Sequence, residues 1–491
     1  MKKVTIIGAG ISSLSSAAFL SREGYDVTVL EKNTSIGGRA RQFKENGFVF
    51  DMGPSWYWMP DVFEQFYQKF GHTTSDFYDL VRLDPSYRIF WQDNSHSDIP
   101  ASEQELFAWF ESLEPGSSPK LKKFLSEAKY KYEVGINDLV YKPGLSLTEY
   151  ADVRILKGLF KLNLLSSFSK YIRQYFKNDK ILSLLEFPVL FLGAMPEETP
   201  ALYSLMNYAD ISLGTWYPMG GMHKFVEAFE QIARENGASI LTEQNVTGMK
   251  FVNRNLSHVV SNGRDFETDV LVSGADYRHT ETVLNGKANY NEGYWNKRTM
   301  APSCLLFYIG VNKRVENLLH HNLFFDEPFA QHAVEIYKDP KWPTAPLFYV
   351  SAPSKTDPSV APGGHENIFM LIPIAPDLAD NDALREQYFE LLMERLEKRT
   401  GQRIKEHIVY KKSYCISDFK KDYNAFKGNA YGLANTLRQT AYLKPSLKNK
   451  HLNNVYYTGQ LTVPGPGVPP SIISGEVVAR EVIKDHPLNK R

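Results

Sequence analysis

The alternation of apolar and polar positions predicts a strand, a helix and a second strand within the first thirty residues. Residues 3–7 (KVTII) form a short apolar, β-branched run of the kind found in buried parallel strands. Residues 11–21 carry apolar side chains at helical spacing, and residues 26–30 (DVTVL) form a second strand-like run. This order predicts a βαβ unit whose two strands are parallel.

Two glycines lie where the first strand turns into the helix. Gly8 suits a tight turn, and Gly10 lets the backbone approach a pyrophosphate, towards which the helix N-terminus directs its free N–H groups. Glu31, about 20 residues further on, is placed to bind ribose hydroxyls. Ser13 stands where the fingerprint has a third glycine, a position that serves close packing of helix on strand. The unit therefore predicts a dinucleotide site.

Later glycine-rich stretches extend this picture. Residues 37–40 (GGRA) suit a second loop that approaches phosphate, with Arg39 as a bidentate donor; the alternative is a solvated surface charge. Residues 48–54 predict a strand that ends in a turn, and residues 56–59 (WYWM) form an aromatic cluster that suits either a core or an apolar tunnel. Residues 459–470, crowded with glycine and proline, suit a rigid wall against a flat cofactor, followed by a helix from about Ser471; the alternative is a surface loop.

Strand and helix patterns along the chain predict an α/β fold with two discontinuous domains. Helical patterns cover residues 102–132, 223–235 and 384–400, and strand patterns cover residues 83–91, 238–241, 245–249, 268–272 and 368–374. We expect residues 1–80, 205–280 and 420–491 to form a nucleotide-binding domain with a parallel sheet. Residues 81–204 and 281–419 would form an inserted α+β substrate domain with a helical region.

Composition excludes several classes of protein. The 491 residues carry 56 basic and 56 acidic side chains, a balance that argues against a general nucleic-acid binder. Cys304 and Cys415 are the only cysteines, so we expect no disulfide framework and no metal site, and a reducing compartment fits. No Ser–His–Asp or paired-carboxylate pattern stands out, and we name no catalytic residue.

The sequence carries one membrane signal. No stretch approaches the ~20 apolar residues of a membrane span, and the lysines before the first strand do not open a signal peptide, because Gly8 and Gly10 interrupt the apolar run. Residues 152–180 carry seven basic and two acidic side chains between apolar ones. At helical spacing this predicts a segment that lies in a bilayer interface; the alternative is a soluble helix with a basic face.

Two sets of motifs resemble known proteins. Residues 8–10, 31–32 and 37–40 resemble the FAD-binding start of the flavin amine-oxidase and phytoene-desaturase superfamily. Residues 83–90, 354–358, 427–432 and 455–475 resemble bacterial phytoene-desaturase-type carotenoid desaturases, and the resemblance runs nearly end to end. It implies a Rossmann-like FAD-binding domain and FAD as the cofactor. The implied cofactor-binding residues are Gly8, Gly10, Ile11, Ser12, Ser13, Glu31, Lys32, Gly38, Arg39, Gly53, Pro54, Ser55, Val246, Gly459, Gln460, Gly467, Val468 and Pro469.

The resemblance also implies a reaction: removal of two hydrogens from a long, hydrophobic carotenoid, with hydride transfer to a flavin held roughly 3–3.5 Å away. Loss of the second proton from a delocalised cation needs only a weak base. Oxygen or a quinone would accept the electrons, and the protein would lie in the cytoplasm, peripheral on the inner face of the cell membrane. Phytoene-type and hydroxylated-carotenoid 3,4-desaturation stay open, as do carotenoid isomerisation, terminal oxidation, amine oxidation and a non-catalytic FAD-binding role.

Overall fold

The computed structural model describes residues 1–150, 166–190, 193, 195–284, 286–436 and 438–488. The described strands are β1 (Lys3–Ile7), β2 (Asp26–Leu30), β3 (Gln42–Glu45), β4 (Phe48–Asp51), β5 (Leu80–Arg82), β6 (Tyr87–Trp91), β7 (His96–Ile99), β8 (Trp216–Pro218), β9 (Ser239–Leu241), β10 (Val246–Val252), β11 (Asn255–Ser261), β12 (Arg264–Glu267), β13 (Val270–Ser273), β14 (Ser303–Val311), β15 (His321–Phe325), β16 (Phe348–Ser351), β17 (Glu366–Ile374), β18 (Ile408–Tyr414) and β19 (Val455–Tyr457). The described α-helices are Ile11–Arg22, Pro60–Gln68, Glu103–Leu113, Ser117–Val134, Phe168–Ile172, Asp179–Leu190, Leu205–Asn207, His223–Glu235, Tyr277–Val283, Glu292–Asn296, Phe329–Tyr337, Asp382–Thr400, Ile416–Tyr423 and Val468–Asp485.

A five-stranded parallel sheet has the order β19-β13-β1-β2-β9. β1 pairs with β2 and with β13 in parallel, so the predicted βαβ unit is confirmed. The helix Ile11–Arg22 is buried from Ile11 to Ser21 and packs against the helices His223–Glu235 and Val468–Asp485. A Cβ at Gly475 would lie 2.3 Å from the carbonyl oxygen of Ser12, so only glycine allows this approach. The α/β, Rossmann-like architecture is therefore confirmed.

A seven-stranded sheet has the order β18-β14-β17-β16-β15-β6-β7. Its β6–β15 pair is parallel and its other pairs are antiparallel. β14 is buried along its whole length, and the helix Asp382–Thr400 buries Phe389, Leu392 and Met393 in the same apolar cluster. Three smaller sheets consist of β10-β11-β12, β3-β4 and β5-β8.

Several boundaries differ from the sequence prediction by one to four residues. The strand predicted over residues 83–91 is limited to Tyr87–Trp91. The last helix begins at Val468 rather than near Ser471, because Pro469 and Pro470 occupy its first turn. Proline is tolerated there, since the first N–H groups of a helix have no acceptor within the helix. The division of the chain into domains remains a prediction.

About half of the basic, apolar segment predicted to meet a membrane lies outside the described residues, which omit 151–165. In the described remainder, Phe168, Tyr171 and Ile172 are buried. Arg173 pairs with Glu186 at 2.5 Å, and Lys180 pairs with Asp93 at 2.7 Å. Among the helices that the structure describes, none combines the length and the apolar character needed to cross a bilayer.

Candidate functional site

A cavity of about 400 Å³ lies at the carboxyl ends of the parallel strands, a size typical of ligand sites (~300–1,000 Å³). Its wall includes Gly8 after β1, Glu31 after β2 and Gly274 after β13. The opposite wall includes Leu306 of β14 and Leu371 of β17. The cavity therefore lies where the parallel sheet meets the seven-stranded sheet, with backbone loops on one side and apolar side chains on the other.

Glu31 is fixed by hydrogen bonds at the nucleotide end of this cavity. Its Oε2 accepts from the Ala9 N–H at 2.7 Å, and its Oε1 accepts from the backbone N–H and the Nδ2 of Asn33, both at 2.8 Å. A carboxylate has about four acceptor positions, so capacity remains for a further donor. The side chain is 5% exposed. This geometry fits the expected bond from a ribose hydroxyl.

The glycines of the two phosphate loops leave room for a ligand. A Cβ built on Gly10 meets no protein atom within 4 Å, so the space beside this backbone belongs to the cavity. Gly8 and Gly38 have φ of +82° and +56°, and a Cβ on Gly38 would lie 3.2 Å from the Cα of Gly10. The two loops therefore approach each other closely, in front of the N-terminus of the helix Ile11–Arg22.

Arg39 supplies a positive charge beside these loops, and the buried Asp276 carboxyl interacts with it electrostatically. Within the described chain no carboxylate lies within ion-pair distance of Arg39, and its Nε is buried without an acceptor. Its NH2 donates to the Asn429 carbonyl at 3.2 Å, and also to Gln460 at 2.9 Å when that amide presents its oxygen. Burial lowers the pKa of Arg39, but a guanidinium stays protonated. A pyrophosphate would satisfy both the charge and the free N–H.

Seventeen of the eighteen predicted cofactor residues form part of the cavity wall: Gly8, Gly10, Ile11, Ser12, Glu31, Lys32, Gly38, Arg39, Gly53, Pro54, Ser55, Val246, Gly459, Gln460, Gly467, Val468 and Pro469. Ser13 instead lies behind the wall, where a Cβ on Gly274 would come within 2.0 Å of its Oγ. Ser13 thus contributes close packing, as its place in the fingerprint predicts. The individual contacts of all eighteen residues with a cofactor stay predictions.

The other end of the cavity is apolar. Its described wall contains Trp56, Trp58, Met59, Met206, Leu306, Leu371 and Ala430. Of the aromatic cluster noted in the sequence, Tyr57 is instead buried against Phe63. Burial raises the pKa of the Cys304 thiol to about 12 and that of Tyr349 beyond its ordinary value, so both stay neutral. The described wall at this end therefore presents no ionised side chain.

A neutral histidine lies behind this apolar wall. The His321 ring stacks on Trp56 with centroids 4.1 Å apart and an interplanar angle of 15°. Its Nδ1 is 2.6 Å from the Tyr349 hydroxyl. Burial holds the pKa of His321 well below its ordinary value, so the ring carries no charge at neutral pH. The arrangement fixes the Trp56 indole as a flat apolar surface.

A group of residues at the nucleotide end was not predicted from the sequence. Phe419, Asp422, Tyr423 and Asn424 line the cavity opposite Glu31 and Lys32, although the strand β18 that precedes them belongs to the other sheet. Nothing in their local sequence indicates a nucleotide site. Tyr349 and Leu371 were missed for the same reason, because only the sheet order brings them to the cavity.

These features fit the expected FAD. Glu31 and the loops at Gly10 and Gly38 would hold its nucleotide, and Arg39 its pyrophosphate. The loop around Gly53 and the residues at Gly459 and Gly467 would meet the flavin. At the start of the helix Val468–Asp485 the Val468 N–H and the positive end of the helix dipole would favour negative charge on the ring system. When bound, the flavin supplies a two-electron acceptor.

Comparisons with known proteins agree with this geometry. A family model described as flavin containing amine oxidoreductase matches residues 11–483. A carotenoid 3,4-desaturase of Haloarcula japonica is 40% identical over 485 residues, which cover 98% of both chains. A 4,4'-diapophytoene desaturase of Staphylococcus aureus is 30% identical over 500 residues, 98% of this chain and 99% of that protein.

A solved structure shares the fold at low identity. An oxidoreductase of Methanosarcina mazei matches with a TM-score of 0.62 and 17% identity, covering 97% of this chain and 100% of that one. The family model matches nearly the whole chain, and the geometry of the cavity fits a dinucleotide. The match decides the classification. This chain belongs to the flavin-containing amine oxidoreductase family.

Proposed function

We propose that this protein is an FAD-dependent carotenoid desaturase, which removes two hydrogens from adjacent carbons of a long polyene. The observation that carries the proposal is the apolar end of the cavity, which joins the nucleotide site without an ionised side chain in its described wall. The similarity to carotenoid 3,4- and diapophytoene desaturases over 98% of the chain supports it. An amine substrate would find no carboxylate in the described wall of this apolar end.

The side chains of this chain would act by position and by exclusion of water. Trp56, Leu306 and Leu371 offer flat and branched apolar surfaces against which a rigid polyene can lie. Hydride transfer to the flavin leaves a cation delocalised over the neighbouring double bonds. That cation loses its proton readily, so neutral hydroxyls such as that of Tyr349, or water, suffice as acceptors. This accounts for an apolar end whose described wall contains no strong base.

Within this class we favour 3,4-desaturation, since the Haloarcula japonica enzyme is 40% identical to this chain and the Staphylococcus aureus enzyme 30%. Phytoene-type desaturation is the alternative. We further propose that the protein binds a membrane surface from which it takes its substrate, with oxygen or a quinone as electron acceptor. The basic, apolar sequence of residues 152–180 and the solubility of carotenoids in bilayers support the membrane part.

The test is anaerobic reduction of the bound flavin by substrates supplied in lipid vesicles. We expect bleaching of the flavin absorbance with a hydroxylated carotenoid, and a pigment with a longer conjugated system on chromatography. Phytoene is tested in parallel to separate the two desaturation types. Reduction by amines and by no polyene would refute the proposal.

A matched pair of variants tests the apolar wall. Leu371→Glu places a carboxylate in the cavity, whereas Val409→Glu places one on the same sheet at a side chain that is 46% exposed. A buried, unpaired carboxylate costs several kcal/mol, so Leu371→Glu should abolish flavin reduction by the carotenoid. Val409→Glu should retain it. Equal activity of the two variants would place the substrate elsewhere.

A further inference from the structure

The end of the helix Ile416–Tyr423 lies across the nucleotide end of the cavity. Asp422, Tyr423 and Asn424 line the cavity there, and we call these three residues the clasp. The helix ends at Asn424, whose φ of +50° is the left-handed conformation in which asparagine commonly ends helices. The clasp follows β18 of the seven-stranded sheet, whereas the residues opposite follow strands of the parallel sheet.

Hydrogen bonds join the clasp to the nucleotide loops. The Lys32 Nζ donates to the Lys421 carbonyl at 2.5 Å. The Asn33 Nδ2 donates to the Asp422 carbonyl at 3.2 Å and to Glu31 Oε1 at 2.8 Å. Asn33 therefore ties the clasp directly to the carboxylate expected to bind the ribose.

An ion pair and an aromatic ring also connect the clasp to the nucleotide loops. Arg41 NH2 lies 2.5 Å from Asp422 Oδ2, with 9% and 25% of the two side chains exposed. The Tyr414 hydroxyl donates to the same oxygen at 3.0 Å. The guanidinium carbons of Arg39 and Arg41 each lie 5.1 Å from the centre of the Tyr423 ring, a cation–π distance. The ring thus holds the phosphate-facing Arg39 beside Arg41.

We propose that the clasp closes over the adenosine end of bound FAD and retains the cofactor, with Asp422 as its positioning residue. The two halves of the nucleotide site come from different sheets, so we expect weaker bonds between them to let the cofactor leave faster. A partly buried charge pair between Arg41 and Asp422 resists that opening more than a surface pair would. The inference rests on the cofactor of the family and is independent of the carotenoid substrate.

The experiment measures the release of FAD from the holoenzyme. Purified protein is placed in FAD-free buffer, and the protein-bound flavin absorbance is followed over time after removal of free flavin by gel filtration. Asp422→Asn keeps the size of the side chain and removes its charge. We expect it to speed FAD dissociation about tenfold, the lower end of the range that corresponds to one charge-assisted hydrogen bond.

A control ion pair joins the same helix to the turn that follows β17. Asp377 pairs with Lys420 at 3.0 Å, and the two side chains are 55% and 47% exposed. Asp377→Asn should leave the dissociation rate unchanged, because an exposed pair contributes little. Tyr423→Leu is a second variant, which removes the ring beneath both guanidinium groups and should also speed release.

The readout separates retention of the cofactor from general stability. A role in retention predicts faster FAD release, with the melting temperature of the FAD-free variants close to that of the FAD-free parent. If Asp422→Asn and Tyr423→Leu release FAD at the parental rate, the inference is overturned, whatever their stability. If Asp422→Asn does not fold, the rate for Tyr423→Leu alone decides. Failure of the carotenoid assay would leave these rates unaffected.

Discussion

Replacing Gly10 by alanine separates cofactor binding from folding. Gly10 has φ −78° and lies at the N-cap of the helix Ile11–Arg22, a conformation that alanine adopts without strain. The added Cβ would meet no protein atom within 4 Å. Alanine is a poorer N-cap than glycine but restricts the unfolded chain, so the two effects leave the free energy of unfolding within about 1 kcal/mol of the parent.

The substitution should instead lower the affinity of the protein for FAD. The methyl group would occupy the space through which the pyrophosphate approaches the helix N-terminus. Hydrogen bonds from these N–H groups to a phosphate contribute about 1.5–3 kcal/mol each. Loss of one such bond raises the Kd for FAD by about 10- to 150-fold.

The assay pairs Gly10→Ala with Gly8→Ala. Gly8 has φ +82°, and its Cβ would lie 3.4 Å from the backbone nitrogen of Ala275, so alanine there costs roughly 1–2 kcal/mol of folding free energy as well. FAD affinity is measured by titration of the FAD-free proteins, and stability by urea unfolding of the same samples. Gly10→Ala that binds FAD like the parent would refute the assignment of the loop. If Gly10→Ala is as unstable as Gly8→Ala, the inference that the space beside the Gly10 backbone is open is wrong.

Three further predictions concern other buried groups. Glu31→Ala removes the acceptor of the Ala9 N–H and should lower FAD occupancy after dialysis; unchanged flavin absorbance would contradict this role. Burial raises the pKa of the Cys304 thiol to about 12 and that of Cys415 further, so neither should react with iodoacetamide in the folded protein at pH 8, whereas both should react in denaturant. Burial raises the pKa of Asp210 from 3.8 to about 7, so the folded protein binds a proton that the unfolded chain lacks, and stability falls as the pH rises between these values. Relative to the parent, Asp210→Asn should gain on the order of 3 kcal/mol in unfolding free energy between pH 5 and pH 8; a constant difference would show that Asp210 titrates normally.

Local patterns predicted the nucleotide half of the site because its parts are close in sequence. Gly8, Gly10 and Glu31 follow the two strands of one βαβ unit, whose hydrophobic spacing fixes their positions. The substrate half depends on pairings between distant strands. β6 pairs with β15, more than 200 residues later, and no local pattern encodes that pairing. Tyr349 and Leu371 reach the cavity only through this sheet order.

The clasp could not be predicted for a related reason. Asp422 and Tyr423 lie on an amphipathic helix whose sequence indicates packing on a sheet, and their function depends on what stands opposite them. The early start of the last helix has a different cause. Consecutive prolines indicate a loop when they are considered alone, yet Pro469 and Pro470 occupy the first turn, whose N–H positions need no acceptor within the helix.

The packing of the helix Val468–Asp485 on the helix Ile11–Arg22 has a consequence for biosynthesis. The contact between Gly475 and Ser12 joins residues that leave the ribosome several hundred codons apart, and β19 adds the edge of the parallel sheet equally late. The nascent chain therefore carries its first βαβ unit with one face uncovered for most of translation. We therefore expect flavin to be inserted only after this last helix has been made, and a chain truncated before it should be colourless and prone to aggregation.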